Sequence, residues 1–224
     1  MNLIFLDVDG VLNSHDYCNY YYRNYSFGTE PIFMGREFDQ RAMHYLKTIV
    51  EATQSKLVIS SNWRKSVKFM KYLVGELAKH NLFDDIIGVT PILANQNRGQ
   101  EITQYIESVP HPTEKFKNVL ILDDNNDMGN LEPLLLKTNA RSGLTKENAM
   151  EAIRRLAPQN LSLDVFNKLN APEIEKLNYD VLQSISEQTK EQILRKQLRK
   201  VIEQQFDAGY KNQSQETVSL QSKV

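Results

Sequence analysis

The chain has one cysteine, Cys18, among 224 residues, which excludes an internal disulfide framework and any zinc site built from several thiolates. No apolar run approaches the length that spans a bilayer, and the first residues lack a basic region followed by a long apolar core. Neither a membrane span nor a cleavable leader is therefore expected. Excess charge of one sign is missing too: a formal net charge of −1 gives no global attraction to nucleic acid or to an anionic membrane. Any polyanion must be met by local charge. The histidines, His15, His44, His80 and His111, share no spacing and read as surface or internally satisfied residues. The expected setting is cytoplasmic, with secretion by an unreadable signal as the remaining option. What is present is the composition of a soluble globular protein, 41% hydrophobic and 25% charged, with room for one α/β domain and an appendage.

The first twelve residues organise the rest. Leu3, Ile4, Phe5 and Leu6 form an unbroken apolar run, the pattern of a strand buried on both faces of a parallel sheet. It ends in Asp7 and Asp9, which leave extended backbone on the same side, and Gly10 permits a sharp turn. Taken alone, an Asp-x-Asp-Gly string reads as a surface turn. The choice depends on whether later strands end in matching chemistry.

They do. After a tyrosine-rich flap over residues 14–36, a helix starts at Asp39 as N-cap, with Phe38 and Met43 spaced as a hydrophobic staple. Leu57, Val58 and Ile59 form a second strand that runs into Ser60, Ser61, Asn62, Trp63 and Arg64. Residues 65–79 have helical periodicity, Ile86–Val89 reads as a third strand, and a further helix opens near Arg98. Val119–Leu122 is a fourth buried strand, followed by Asp123, Asp124 and Asp127. Residues 134–137 suggest a short fifth strand, and a helix follows Thr145. Strands alternating with helices predict a parallel, helix-covered sheet. From Pro158 no strand is found. Phe166 and Leu169, Ile174 and Leu177, and Leu182 and Ile185 recur every eight residues, with Asn170, Asn178 and Ser186 at N-cap positions. Short stacked helical segments and one ordinary amphipathic stretch fit this equally.

If the sheet gathers its carboxyl ends, Asp7, Asp9, Ser60, Ser61, Asn62, Asp123, Asp124 and Asp127 meet, with Arg98 at a helix start. Several carboxylates in one site repel and call for a hard cation, and an oxygen-only ligand set suits Mg²⁺. A hydroxyl and a guanidinium hold the remaining oxygens of a phosphate. One carboxylate is then left to attack phosphorus and another to move the proton.

In these motifs, Leu6-Asp7-Val8-Asp9-Gly10-Val11-Leu12, Val58-Ile59-Ser60-Ser61, Arg98 and Leu122-Asp123-Asp124 with Asp127, roughly the first two-thirds of the chain resembles the haloacid-dehalogenase (HAD)-like phosphatases. Their fold is a Rossmann-like sheet. Ser61-Asn62-Trp63-Arg64 with Arg98-Gly99-Gln100-Glu101-Ile102 is most similar to the HAD domains of "Swiss Army Knife" RNA repair proteins. The resemblance implies Asp7 as the nucleophile that becomes aspartyl-phosphate and Asp9 as general acid and base. It implies Mg²⁺ held by the Asp7 side chain, the Asp9 carbonyl and Asp123, with Asp124 or Asp127 orienting the metal's waters. Ser60, or Ser61 if the register is one residue off, binds phosphate. Arg98 is the stabilising cation, with Lys115 and Arg64 as rivals. Arg64 reads equally as a surface residue, and Trp63 as packing under the loop.

The expected organisation is an α/β HAD-like domain over residues 1–157 with only the flap as cap, a helical appendage over 158–206 and a disordered tail over 207–224. An open site accepts a nucleotide or a polynucleotide end, on whose bases the flap tyrosines either stack or, more simply, fail to act because they pack the flap. A phosphatase of phosphoproteins or small phosphometabolites, and an interaction protein binding a partner through residues 158–206, are the alternatives.

Overall fold

Five short apolar strands, each too short to bury its surface alone, assemble into one parallel sheet. In the computed structural model, which describes residues 1–19, 38–94, 97–110 and 116–170, these are β1 (Asn2–Leu6), β2 (Ser55–Ile59), β3 (Ile86–Val89), β4 (Asn118–Asp123) and β5 (Leu135–Lys137). Their order is β3-β2-β1-β4-β5. The chain thus starts in the centre of the sheet and builds outward on both sides, which makes the architecture Rossmann-like. All five residues of β1 are buried, as its unbroken apolar run requires.

Helices cover both faces. On one side lie α1 (Gln40–Thr53), α2 (Val67–Lys79) and α4 (Lys146–Leu156), whose apolar stripes enclose a core with Ile4, Leu6, Leu57, Ile59 and Leu122. On the other lies α3 (Arg98–Ser108), over Leu3, Phe5, Val58 and Ile121. Each helix begins where a side chain takes up an orphan N–H. Asp39 accepts from Arg41 N and Ser66 from Phe69 N, while Asn97 with Gln100 and Thr145 with Asn148 form capping boxes.

The expected elements are present with small differences. β2 begins at Ser55 and β4 at Asn118, because both pair with Asn2 at the start of β1, and β4 extends through Asp123 because that residue pairs with Lys137 of β5. Residues 62–65 form a 3₁₀ turn before α2, where a continuous helix is expected from residue 65. The flap is not irregular from its start: residues 15–19 are helical, with Tyr17 N donating to Ser14 Oγ. The rest of the flap, with Tyr20, Tyr21, Tyr22 and Tyr25, lies outside the described residues.

Beyond α4, the helix α5 (Leu163–Asn170) buries Leu169 against the core. It is tied to α1 by a hydrogen bond between His44 Nε2 and the Lys168 carbonyl, 2.9 Å. Asn170, expected as an N-cap, is the last residue of this helix and donates back to the Phe166 carbonyl. Asn178 and Ser186 lie outside the described residues. Among the described residues, no helix is long and apolar enough to cross a membrane.

Candidate active site

Strand register builds the site. Leu6 pairs with Ile59 on one side and Leu122 on the other. The ladder continues one step: Ser60 N donates to the Leu6 carbonyl and Asp7 N to the Leu122 carbonyl, both at 3.0 Å. Thr90 N donates to Ile59 O, and Asp123 pairs with Lys137. Thr90, Ser60, Asp7, Asp123 and Lys137 therefore stand abreast, one per strand, at the carboxyl edge. Residues abreast in a parallel sheet share a face. Two positions earlier, Val58, Phe5, Ile121 and Leu135 all belong to the core under α3, so the row lies on that side. That is where ligands bind in open α/β sheets.

Arg98, the first residue of α3, comes down on this row. Its Nη1 contacts Asp7 Oδ2 at 2.8 Å and also Asp123 Oδ2. Gly99 lets the helix start sit this close. A Cβ there would run into the Met128 backbone carbonyl, and Gly99 N donates to Asp127 O at 3.0 Å. Burial disfavours the Arg98 charge, but Asp7 and Asp123 outweigh it and raise the guanidinium pKa above its ordinary value.

Asp7, Asp123 and Asp124 each offer a carboxylate oxygen within 4.8 Å of the others. The cluster holds because Gly10 turns with φ +74°, a conformation suited to glycine, and because a Cβ on it would strike the Asp124 carboxyl group. Thr138 Oγ1 fixes the same turn by donating to Gly10 O at 2.7 Å. Three hard oxygen donors packed this tightly fit Mg²⁺ better than they fit one another.

Their electrostatics bear the same mark. Burial, with the Asp7 charge added, pushes the Asp123 carboxyl up to about 6, although Arg98 and the Asn125 N–H pull it down. Burial and Asp7 also raise Asp124. The unfolded chain returns Asp123 to its ordinary value of 3.8, so without a cation the folded state binds this proton more tightly. The stability it contributes is complete below about pH 4 and is lost as pH rises through about 6. In chelator, the melting temperature of the wild type relative to Asp123→Asn should fall between about pH 4 and 7. A flat or rising difference would contradict this.

The remaining expected residues separate into distinct places. Ser60 is fully buried and its hydroxyl has no hydrogen-bond partner among the described residues, whereas Ser61 caps the 3₁₀ turn by accepting from Trp63 N at 3.3 Å. Asn62 is exposed at the start of that turn. Asp9 is exposed, and its Oδ2 accepts from Trp63 Nε1 at 2.8 Å. Asp127 is exposed and outside the carboxylate cluster; its carbonyl serves the start of α3. Lys115 lies outside the described residues.

Arg64 needs correction, as neither a surface nor a substrate residue. Its side chain is 0% exposed. All of its N–H groups are committed: Nε to Thr90 O, Nη1 to Ser60 O and Ser61 O, and Nη2 to Pro91 O and Glu101 Oε2. A guanidinium carries five N–H donors, and five acceptors take them.

Two contributors were not expected from sequence, the Trp63 N–H on Asp9 and Thr138 behind Gly10. Thr138 had a signal, as a polar residue directly after a strand; Trp63 had none that distinguished reach from packing. Beside Asp124 opens a cleft of about 580 Å³ lined by Lys137, Thr138, Asn139, Ser142 and Thr145.

A Rossmann-like sheet whose first strand ends in Asp7-x-Asp9-Gly10, faced by a fourth-strand Asp123-Asp124 pair and a helix-borne arginine, defines a HAD-like phosphatase. The family model described as the HAD domain in Swiss Army Knife RNA repair proteins matches residues 3–149, and the chain belongs to that family. No individual characterised protein and no solved structure matches it.

Proposed function

We propose that the protein is a Mg²⁺-dependent phosphomonoesterase that works through an aspartyl-phosphate on Asp7 and acts on nucleotides or nucleic-acid ends. The observation that carries this reading is the convergence of Asp7, Asp123 and Asp124 with Arg98 at one sheet edge. Asp7 attacks phosphorus; Asp9 gives a proton to the leaving oxygen and then takes one from water. Arg98, at a helix N-terminus, and the buried Ser60 hydroxyl hold phosphate oxygens. The Asp7 and Asp123 side chains and the Asp9 carbonyl would hold Mg²⁺, with Asp124 beside them. When bound, the ion neutralises charge on the carboxylates and the phosphate. Hydrolysis of a generic aryl phosphate should cease in chelator and return with Mg²⁺, and Mg²⁺ should raise the melting temperature.

The nucleic-acid part rests on the family's description as a domain of RNA repair proteins and on the cleft beside Asp124 that Lys137 lines. A substrate panel tests it: oligonucleotides phosphorylated at either end, mononucleotides, phosphopeptides and sugar phosphates. If phosphopeptides or sugar phosphates are preferred by orders of magnitude, this part fails. Lys137→Ala should raise KM for a phosphorylated oligonucleotide by about three- to tenfold and reduce its salt dependence, while KM for an aryl phosphate stays within about twofold. Equal effects on both would remove Lys137 from the substrate path.

A cytoplasmic setting fits the single cysteine. Residues 1–157 are the proposed phosphatase domain and 158–206 a helical appendage open to a protein partner. Because α5 packs on α1 and α4, the truncation that isolates such a role begins at residue 171.

A further inference from the structure

Trp63 is the only tryptophan in the chain, and its one polar atom points at Asp9: Nε1 donates to Oδ2 at 2.8 Å. The ring is held still. It is 5% exposed, edge-on to Phe38 at 5.5 Å between centroids and tilted against Phe69 at 5.2 Å. Its own backbone N–H is taken by Ser61 Oγ, and Arg64 clamps the same turn through the carbonyls of Ser60 and Ser61. A rigid donor from the turn after β2 therefore meets an exposed carboxylate from the loop after β1.

Resting on the reading of Asp9 as proton carrier, we infer that Trp63 is a positioning residue for that proton transfer. Its indole N–H fixes the Asp9 rotamer and reserves Oδ2, so that the transferable proton sits on Oδ1. An indole N–H donates and never accepts. It faces Oδ2 whether the carboxyl is protonated or not, which leaves the other oxygen to carry the hydrogen.

In the first step an Asp7 oxygen bonds to phosphorus as the bond to the leaving oxygen breaks. The electron pair stays with that oxygen, and the Oδ1 proton follows it to give the alcohol. In the second step Asp9 takes a proton from water, the water oxygen bonds to phosphorus and the bond to Asp7 breaks. Phosphate leaves with both aspartates restored. Trp63 gains and loses no proton in either step.

Trp63→Phe keeps an aromatic ring in the wall and deletes the N–H. It is compared with Asp9→Asn on an aryl phosphate, whose leaving group needs little protonation, and on an alkyl phosphate such as a nucleoside monophosphate, whose alkoxide needs much. The readout is kcat/KM, which reports phosphoryl transfer to Asp7 and not the later hydrolysis. Asp9→Asn should lose about 10²–10⁴-fold on the alkyl ester and far less on the aryl ester. Trp63→Phe should lose roughly ten- to a hundredfold on the alkyl ester and stay within about threefold on the aryl ester.

Equal loss on both esters from Trp63→Phe, or no loss on either, overturns the inference while the Asp9 reading stands. Asp9→Asn without a leaving-group preference overturns the Asp9 reading, and the inference with it. A metal-free measurement is independent of how Trp63→Phe folds. The single indole N–H cross-peak in a ¹H–¹⁵N spectrum should move upfield, toward the free indole position, in Asp9→Ala; an unmoved peak removes the hydrogen bond on which the inference stands.

Discussion

Asp7→Asn should abolish hydrolysis of an aryl phosphate, lowering kcat/KM by more than about a thousandfold, while the chain stays folded. The carboxamide has the shape of the carboxylate and fills the same place at the end of β1, but its oxygen is too weak a nucleophile to open a phosphoester. The fold has no reason to suffer. Carboxylate oxygens of Asp7, Asp123 and Asp124 lie within 4.8 Å of one another, so removing the Asp7 charge removes its repulsion with the other two. Arg98 keeps Asp123 as a partner. A melting temperature equal to or above that of the wild type in chelator, together with lost turnover, separates chemistry from folding. Turnover retained within about tenfold would take the nucleophile's role away from Asp7.

Arg64→Ala should produce the largest loss of stability, about 3–5 kcal/mol in urea denaturation. The substitution removes the partner of Glu101, itself 6% exposed, whose other carboxylate oxygen accepts from Leu93 N. It also strips donors from four backbone carbonyls, those of Ser60, Ser61, Thr90 and Pro91. Burial lowers the Arg64 pKa from its ordinary value, and Glu101 works in the opposite direction. The pair is therefore a liability when broken and an anchor when whole. Arg64→Lys should recover little, since an ammonium has three donors on a point and cannot span five acceptors arranged around a fork. Glu101→Gln added to Arg64→Ala should restore part of the loss, because the stranded charge is then gone. A cost below about 1 kcal/mol for Arg64→Ala would mean that water reaches the site and replaces the guanidinium.

The legible parts of the sequence are those whose cause is local. Strand β1 announces itself through four consecutive apolar residues, and the helix starts through Asp39, Asn97 and Thr145, because burial and capping act over a few positions. The acidic pairs are legible for the same reason: each directly follows its strand. Ser60 and Ser61 are indistinguishable as letters, and the difference comes from the Leu6–Ile59 pairing with its next rung at Ser60. Arg64 is opaque for a further reason. Its burial depends on carbonyls from β3's end and on Glu101 from α3, more than twenty-five residues away in the chain, and a charged side chain without those partners belongs at the surface. Trp63 looks alike in sequence whether its N–H is used or idle. Lys115 and most of the flap lie outside the described residues.

Standing one residue per strand has a consequence for how this protein can vary. The reactive row is one side chain deep, and the alternation that forms it is unforgiving of length. Removing one residue inside β2 would bring Ser61 into the place of Ser60, and inserting one inside β4 would bring Leu122 into the place of Asp123. Each change would exchange a reacting group for a bystander while leaving the reacting residue itself in the chain. Length changes survive more easily in the connections away from the carboxyl edge, which the row never counts. Related chains that keep the chemistry should therefore carry their insertions and deletions in the loops, and an engineered indel within any of the five strands should read as loss of activity even where the core still closes.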